Sequence, residues 1–507
     1  MKRNTLTTAV LAGLTGMAGM VSVSNAVNVN PDGLGQVLLY PYYSARGGND
    51  TLISIVNTTE RGKAVKIRFI EALNSREVLD FNIYMSAYDV WAAAITEDED
   101  TGGARISFTD TTCTAPYLLE TTGGSQEFLT GAFNMDGGPT GYDRTKSGYV
   151  EVIEMGELTG AAAVAAEHIN GTPPPSGILD KPCSLFTERW IGAQFANGTG
   201  EWLNDAGFEI DPPNGGLFGS GAVINVADGT MFTYNATAID GFWVAEGEHT
   251  DPENLFPSLG SVTRDDSSVF VNGQLSQEVW GNEIDAVNHV LTFETLMNEY
   301  AIETAIGGAS EWVVTFPTKR FHTDAAPQGP AQGEPSAIPP FTELWLHPDQ
   351  GGTPWACEEL DLAVWDREEQ IPDPEAGGIG VSPAPTTPED VFELCREANV
   401  VRFSNDGSLP DSSEIFKEPS SEAAAAPEYG YVNFDLPDTF LHGWARFDFS
   451  EFLGRSSLGG NQSVGLPVIG FWANTYTSGA VADGALRNYG GAYSHRGSRV
   501  FPVSAED

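Results

Sequence analysis

Between Val37 and Met85 apolar and polar residues alternate with a period of two, and no other feature restricts the chain as strongly. That period excludes an amphipathic helix and demands pleated strands with two unlike faces. Val65, Ile67 and Phe69 alternate with Lys66 and Arg68, and Leu79, Phe81 and Ile83 alternate with Asp80, Asn82 and Tyr84. On this spacing one face of each strand packs on a core and the other meets water. Turn formers separate the runs: Arg46-Gly47-Gly48-Asn49-Asp50, then Asn57-Thr58-Thr59-Glu60-Arg61-Gly62, then Asn74-Ser75-Arg76. Short strands with turns at intervals of roughly 8–12 residues are the signature of an antiparallel sandwich.

The predicted fold class is mainly β: antiparallel β-sandwich (immunoglobulin-like) units with long loops and few short helices. Residues 27–155 form the N-terminal sandwich module, closed by strands over Arg105–Thr109 and Tyr149–Met155. Residues 156–324 are a mixed, β-rich middle region with strands at Gly221–Val226, Met231–Tyr234 and Trp312–Phe316. A helix is predicted over Ile284–Tyr300, where Ile284, Val287 and Leu291 share a face. Residues 325–428 are loop-rich, with Gly- and Pro-rich stretches at Ala325–Pro340, Ile371–Pro388 and Asn405–Pro427, and residues 429–507 form a C-terminal β region. No sustained repeat period is present, which disfavours a solenoid or propeller.

Residues 1–26 read as a signal peptide. Lys2 and Arg3 form a positive start, Leu6–Val21 an apolar stretch, and Ser24-Asn25-Ala26 a small-residue cleavage site, so the mature chain begins at Val27. Thr7, Thr8 and Thr15 dilute the stretch below what a membrane anchor needs, and no later window is apolar enough to span a bilayer. No Cys lies near the cleavage site, which argues against a lipoprotein. Export to the periplasm, cell surface or medium is the expected localisation. The length of 507 residues suits two or three domains, and a hydrophobic share of 41% is enough to pack them. The formal charge of −45 becomes −47 once Lys2 and Arg3 leave. Such a field repels phosphate backbones and anionic lipid, excluding nucleic-acid binding and electrostatic membrane docking. It suits either saline surroundings or plain solubility.

Cys113, Cys183, Cys357 and Cys395 are an even number in an exported chain, which predicts two disulfides. Of three possible pairings, Cys113 with Cys183 and Cys357 with Cys395 keeps each loop within one region, each bridge contributing roughly 4 kcal/mol. The spacings are far from C-x-x-C, which disfavours zinc or thioredoxin-like chemistry.

The run Gly35-Gln36-Val37-Leu38-Leu39-Tyr40-Pro41-Tyr42-Tyr43, followed by Asn49–Thr59, resembles the mature start of an uncharacterised family of exported bacterial cell-surface-type proteins. Trp312–Lys319 and Leu466–Phe471 are similar to later blocks of the same family. The resemblance implies a surface protein and carries over no catalytic residue. Ile55-Val56-Asn57-Thr58 with Ala64–Phe69 also resembles immunoglobulin-like modules of bacterial surface proteins.

Candidate chemistry is sparse. His168, His249, His289, His322, His347, His442 and His495 include no His-Glu-x-x-His, and no two are close in sequence. Gly219-Ser220-Gly221 and Gly454-Arg455-Ser456-Ser457 read as turns, not nucleophile elbows, and Gly215–Gly219 lacks the Lys-Ser/Thr of a phosphate loop. Glu97–Asp100, Asp265-Asp266 and Glu358-Glu359 with Asp361 could hold Ca²⁺, but acidic runs of this kind are ordinarily solvated loops. Asn28-x-Asn30-x-Asp32-Gly33 starts like a calcium loop and fails at its twelfth position, Leu39. Tyr40, Tyr42, Tyr43 and eleven Trp could stack on sugars or fill cores. No catalytic, cofactor-binding or metal residue is assigned, and no cofactor is expected. The expected function is an exported non-catalytic envelope or extracellular protein, structural or adhesive, with envelope proteins or glycans as partners. The alternative is a secreted hydrolase, carbohydrate-active, whose site is assembled from distant residues.

Overall fold

A computed structural model describes residues 26–168, 183–191, 200–324, 337–345, 355–371, 380–382, 392–405, 415, 417, 430–480 and 486–504. Residues 1–25 of the signal predicted over 1–26, His347 and most of the Gly- and Pro-rich stretches lie outside them. The chain is mainly β, with antiparallel sheets and few short helices. Four large sheets position everything else. Sheet 1 has eight strands, in the order Asn28–Val29, Thr237–Asp240, Val37–Ser44, Ser147–Leu158, Lys63–Glu71, Glu77–Met85 and Cys113–Ala115, with Ile210–Asp211 on the flank of Ser147–Leu158. Sheet 2 runs Thr230–Asn235, Leu217–Asn225, Asn49–Asn57, Val90–Glu97, Ala104–Ser107 and Ser125–Glu127. The alternating residues meet between these sheets: Val65, Ile67, Phe69 and Phe81 from sheet 1, and Ile53, Ile55, Trp91 and Ile106 from sheet 2.

Leu217–Asn225 pairs along its whole length with Asn49–Asn57, from Leu217 opposite Asn57 to Asn225 opposite Asn49. The unit begun by residues 27–155 is therefore completed by strands from 210–240. Its boundary is set by strand pairing across a long insertion, which no local composition records.

Sheet 3 runs Phe392–Leu394, Glu358–Asp366, His442–Asp448, Thr295–Ala301 and Arg496–Ser498. Sheet 4 runs Gly380–Ser382, Tyr431–Asp435, Ala398–Ser404, Gly308–Thr315, Ile469–Ala480 and Leu486–Ser494. Ala398–Ser404 and Tyr431–Asp435 are parallel. Trp312, Val314, Phe403 and Phe447 fill the space between sheets 3 and 4, whereas Val313, Val400 and Phe471 turn the opposite way into the core of the first sandwich. A strand buried on both faces carries a continuous apolar run, which is why Trp312-Val313-Val314 does not alternate. Hydrogen bonds cross the same junction: Thr315 Oγ1 donates to Pro41 O at 2.6 Å and Tyr149 Oη to Pro317 O at 3.3 Å.

Three expectations need correction. Gly219-Ser220-Gly221 and Gly454-Arg455-Ser456, read as turns, are strand: the first is the middle of Leu217–Asn225, paired with Asn49–Asn57, and the second lies in Leu453–Ser456, because ladder pairing with neighbouring strands overrides the turn preference of Gly and Ser. The polar face of Lys63–Glu71 does not meet water, because all nine positions are buried. Lys66 Nζ lies 2.7 Å from Asp80 and donates to the Asp251 and Asn254 carbonyls, so the 251–254 segment roofs the strand. Arg68 pairs with Glu77 at 2.6 Å and with Glu151, and Arg144 with Glu71 at 2.8 Å. Pairing is the condition on which buried charges are tolerated. The helix predicted over Ile284–Tyr300 spans Glu283–Leu291 alone. The β-branched Thr292 ends it, its hydroxyl closing the last turn on Asn288 O at 2.7 Å, and Thr295–Ala301 pairs with His442–Asp448 instead.

Cys113 is bridged to Cys183 and Cys357 to Cys395, with separations of 70 and 38 residues. The first bridge ties sheet 1 to a helical layer (Gly160–Ala166, Ser184–Ile191 and Glu201–Asn204) packed on Tyr84 with Phe186, Trp190 and Trp202.

Candidate functional site

The outer face of sheet 2 is built by the same alternation that builds its core. Ile53, Ile55, Trp91 and Ile95 point inward, so Leu52, Ser54, Val56, Val90, Ala92 and Ala94 point outward. Strand register sets them in rows. One row crosses the whole sheet as Thr233, Ala222, Leu52, Ala94, Ser107 and Ser125, each directly opposite the next. The neighbouring row is Asn235, Ser220, Ser54 and Ala92, with the Ser54 and Ser220 hydroxyls 3.3 Å apart. Neither row contains a charge. Small side chains keep the floor low, and Phe471, Ala492 and Ser494 of sheet 4 form one wall, leaving a cleft of about 980 Å³. Around the floor stand exposed apolar side chains: Phe218 at 41%, Leu52 at 44%, Val90 at 49% and Met231 at 49%. Charges keep to the margins, where Asp50 is opposite Ile224 and Arg105 opposite Glu127; partial burial raises the Asp50 carboxyl. On a chain of formal charge −45 this surface stands apart. Covering the two rows desolvates hydroxyls and methyl groups, with Asp110, which accepts from Ala92 N at 3.3 Å, as a carboxylate at their edge, so association through them carries a small electrostatic penalty.

The residues singled out from sequence lie elsewhere. Tyr40, Tyr42 and Tyr43 are fully buried, Tyr40 donating to Ser54 O at 2.7 Å and Tyr43 to Thr145 O at 3.0 Å, and burial pushes their phenols up. The six described histidines keep separate company. His249 sits 3.2 Å from Tyr84 Oη among Trp190 and Trp202, His289 is 2.8 Å from Ser267 Oγ, and His322 is 2.7 Å from Asn288 Nδ2. His495 reaches Val313 O at 2.9 Å, His168 lies 3.1 Å from Asp89, and His442 is 3.9 Å from Glu303. Burial lowers His249, His289, His322 and His495 to about 4, so they are neutral.

The acidic runs are absorbed by local structure. Asp98 accepts from the Asp100 and Thr101 amides at 2.9 and 3.0 Å and pairs with Arg105 at 3.0 Å. Asn30 of the calcium-loop look-alike accepts from Asp32 N at 3.0 Å and donates to Leu34 O at 2.7 Å, which closes a plain turn. Buried Glu358 takes the Thr342 hydroxyl at 2.6 Å.

A second cavity, about 570 Å³, brings together Glu343, Glu359, Glu393 and Glu451 beside Trp355 and Cys357. Glu359 is directly opposite Glu393 across paired strands. Glu343, Glu359 and Glu451 are exposed and make no side-chain hydrogen bond. The sulfurs of Cys357 and Cys395 near Glu393 are tied in a disulfide and present no thiolate to a metal. No family model, curated protein or solved structure matches the chain.

Proposed function

We propose that this chain is an exported, non-catalytic envelope or extracellular protein that acts by adhesion, with the outer face of sheet 2 as its contact surface. The observation that carries this reading is the pair of uncharged rows with Leu52, Val90, Phe218 and Met231 exposed around a cleft, on a chain of formal charge −45. Export is supported by the signal-like residues 1–26 and by two disulfides, which persist in oxidising compartments. Among the described residues no helix is long and apolar enough to cross a membrane. The resemblance of Gly35–Tyr43 and Trp312–Lys319 to exported surface proteins belongs to the same proposal. So does the immunoglobulin-like character of the first module, against which stand sheets of eight and six strands, more than such a domain has.

Fractionation of cells expressing the tagged full chain, followed by adhesion of cells or purified envelope material to immobilised protein, tests the reading. The expected result is export and adhesion that falls at least about tenfold in a Leu52→Glu/Ala94→Glu variant, since two buried charges without partners would be forced into the contact. Retention in the cytoplasm, or adhesion indifferent to that variant, overturns it. The hydrolase reading draws on the four glutamates beside Trp355. Release of reducing ends from a polysaccharide, abolished by Glu393→Gln, would replace the adhesive reading with that one.

A further inference from the structure

In sheet 3, Thr295–Ala301 is bordered by Arg496–Ser498 only as far as Met297, which is opposite Arg496. Beyond Met297 the chain crosses from sheet 4 to sheet 3 through Ser494, His495 and Arg496, and the two sheets part at this corner. The opening holds a cavity of about 560 Å³ whose lining includes Trp444, Tyr493, Tyr476, Asn474, Glu299 and Arg496.

Two aromatic faces are held rigid here yet left open. Trp444 is 39% exposed, and its ring stacks on that of Trp365 at 4.2 Å and 12°, the two being directly opposite on neighbouring strands. Tyr493 is 56% exposed and leans on Trp472 at 5.2 Å. Most other Trp, among them Trp91, Trp202, Trp280 and Trp312, are buried, whereas Trp444 keeps part of its ring exposed beside the cross-strand partner it stacks on. Asn474 is only 7% exposed, lines this cavity, and makes no side-chain hydrogen bond. Its Oδ1 lies above Gly491, where a Cβ would stand 3.0 Å from it. Its amide is unpaired within the protein and lines the cavity, where it offers a donor and an acceptor side by side.

We propose that this corner binds a neutral saccharide. The apolar C–H face of a pyranose ring stacks on the open faces of Trp444 and Tyr493. Vicinal hydroxyls take the donor and acceptor of Asn474, and Glu299 and Arg496 complete the polar rim. Few polar groups among aromatic walls, in a cavity of this size, is the usual make-up of a small-ligand site. Arg496 opposes a cation that the rings would otherwise hold, and Glu299 with the net charge of the chain opposes an anion. The corner shares Ser494 with the wall of the sheet 2 cleft, but none of the residues varied in one test lines the other cavity, so the two proposals fail separately.

Calorimetric and fluorescence titration of the full chain with cellohexaose, chitohexaose, maltohexaose and tetramethylammonium chloride tests the inference. At least one of the three oligosaccharides is expected to bind, and Trp444→Ala and Tyr493→Ala each to weaken it about tenfold or more. Asn474→Ala should weaken it while leaving the melting temperature unchanged, because no internal hydrogen bond is lost. Phe270→Ala, an exposed position on the Asp266–Val271 strand, should bind as the parent does. Should Trp444→Ala misfold, the exposed Tyr493 carries the test alone. The inference is overturned if none of the three sugars binds, if binding is unchanged by Trp444→Ala and Tyr493→Ala, or if tetramethylammonium is the only probe that binds.

Discussion

At the scale of single residues, burial has decided protonation more often than chemistry has. His249 lies among Tyr84, Trp190 and Trp202 with its ring nitrogens toward Tyr84 Oη and Ala206 O, and burial lowers it from 6.5 to about 4. Between those values the unfolded chain binds a proton that the native state refuses, so its contribution to stability is lost as pH falls from 6.5 toward 4. His249→Gln should therefore flatten the acid limb of stability measured by denaturant melts at several pH values. An unchanged slope between pH 6.5 and 4 would show that His249 is not held neutral. Glu397 has the opposite sign. Burial, first of all, pushes its carboxyl up to about 8, and its Oε2 has no hydrogen-bond partner. The native state there holds a proton that the unfolded state releases above 4.5, so stability falls as pH rises from 4.5 through 8. Glu397→Gln should stabilise the protein at pH 8 by on the order of 1–3 kcal/mol and change little at pH 4. Equal effects at both pH values would contradict this. Neither residue advertises itself in sequence: a histidine near Glu246-Gly247-Glu248 reads as a solvated one until the helical layer closes over it.

Elements were legible where one face alone is buried. Asn49–Asn57 alternates strictly in burial, and Leu52–Val56 within it reads as a strand; Leu217–Asn225 alternates as strictly, yet Gly219-Ser220-Gly221 in its middle reads as a turn because residues without large side chains show no period. Where both faces are covered, as in Gly308–Thr315 and Lys63–Glu71, the pattern indicates a strand but not what lies on its second face. The helical layer of Gly160–Ala166, Ser184–Ile191 and Glu201–Asn204 was not legible, because helices of 7, 8 and 4 residues have too few turns to show a period. What holds that layer is packing on Tyr84 and the bridge from Cys113 to Cys183. Replacing both cysteines by Ser should lower stability by roughly 4 kcal/mol. The loss should be local at first, with hydrogen exchange accelerating in 184–191 and 200–210 while Lys63–Glu71 stays protected. Uniform exchange across both regions would show instead that the layer and sheet 1 open together.

On the scale of the whole molecule, 70 carboxylates face 25 Lys and Arg, and much of the basic complement is committed inside: Lys63, Lys66, Arg68 and Arg144 are buried in ion pairs. Their partners Glu154, Glu151 and Glu71 are buried with them and Asp80 largely so, and the exterior therefore keeps the acidic excess that the composition states. Its self-repulsion acts over about 10 Å at 0.1 M ionic strength and about 3 Å at 1 M. Melting temperature should therefore rise with NaCl, and CaCl₂ at equal ionic strength should do no more, since Asp98 and Asn30 are already engaged by their own turns. A large Ca²⁺-specific rise at low ionic strength would place a metal site in the chain. By itself the sequence determined the β class, the strands with one wet face, the acidic surface and the expectation of two cysteine pairs. All of these follow from periodicity and composition, which are local quantities. Only the tertiary structure decided that Lys66 and Arg68 are roofed over, that sheet 4 serves two cores, that residues 210–240 complete the first sandwich, and that Trp444, Tyr493 and Asn474 share a corner. Those outcomes depend on which distant strands pair and which faces meet. The free energy of burying one surface against another belongs to both partners, and a single segment carries half of it at most.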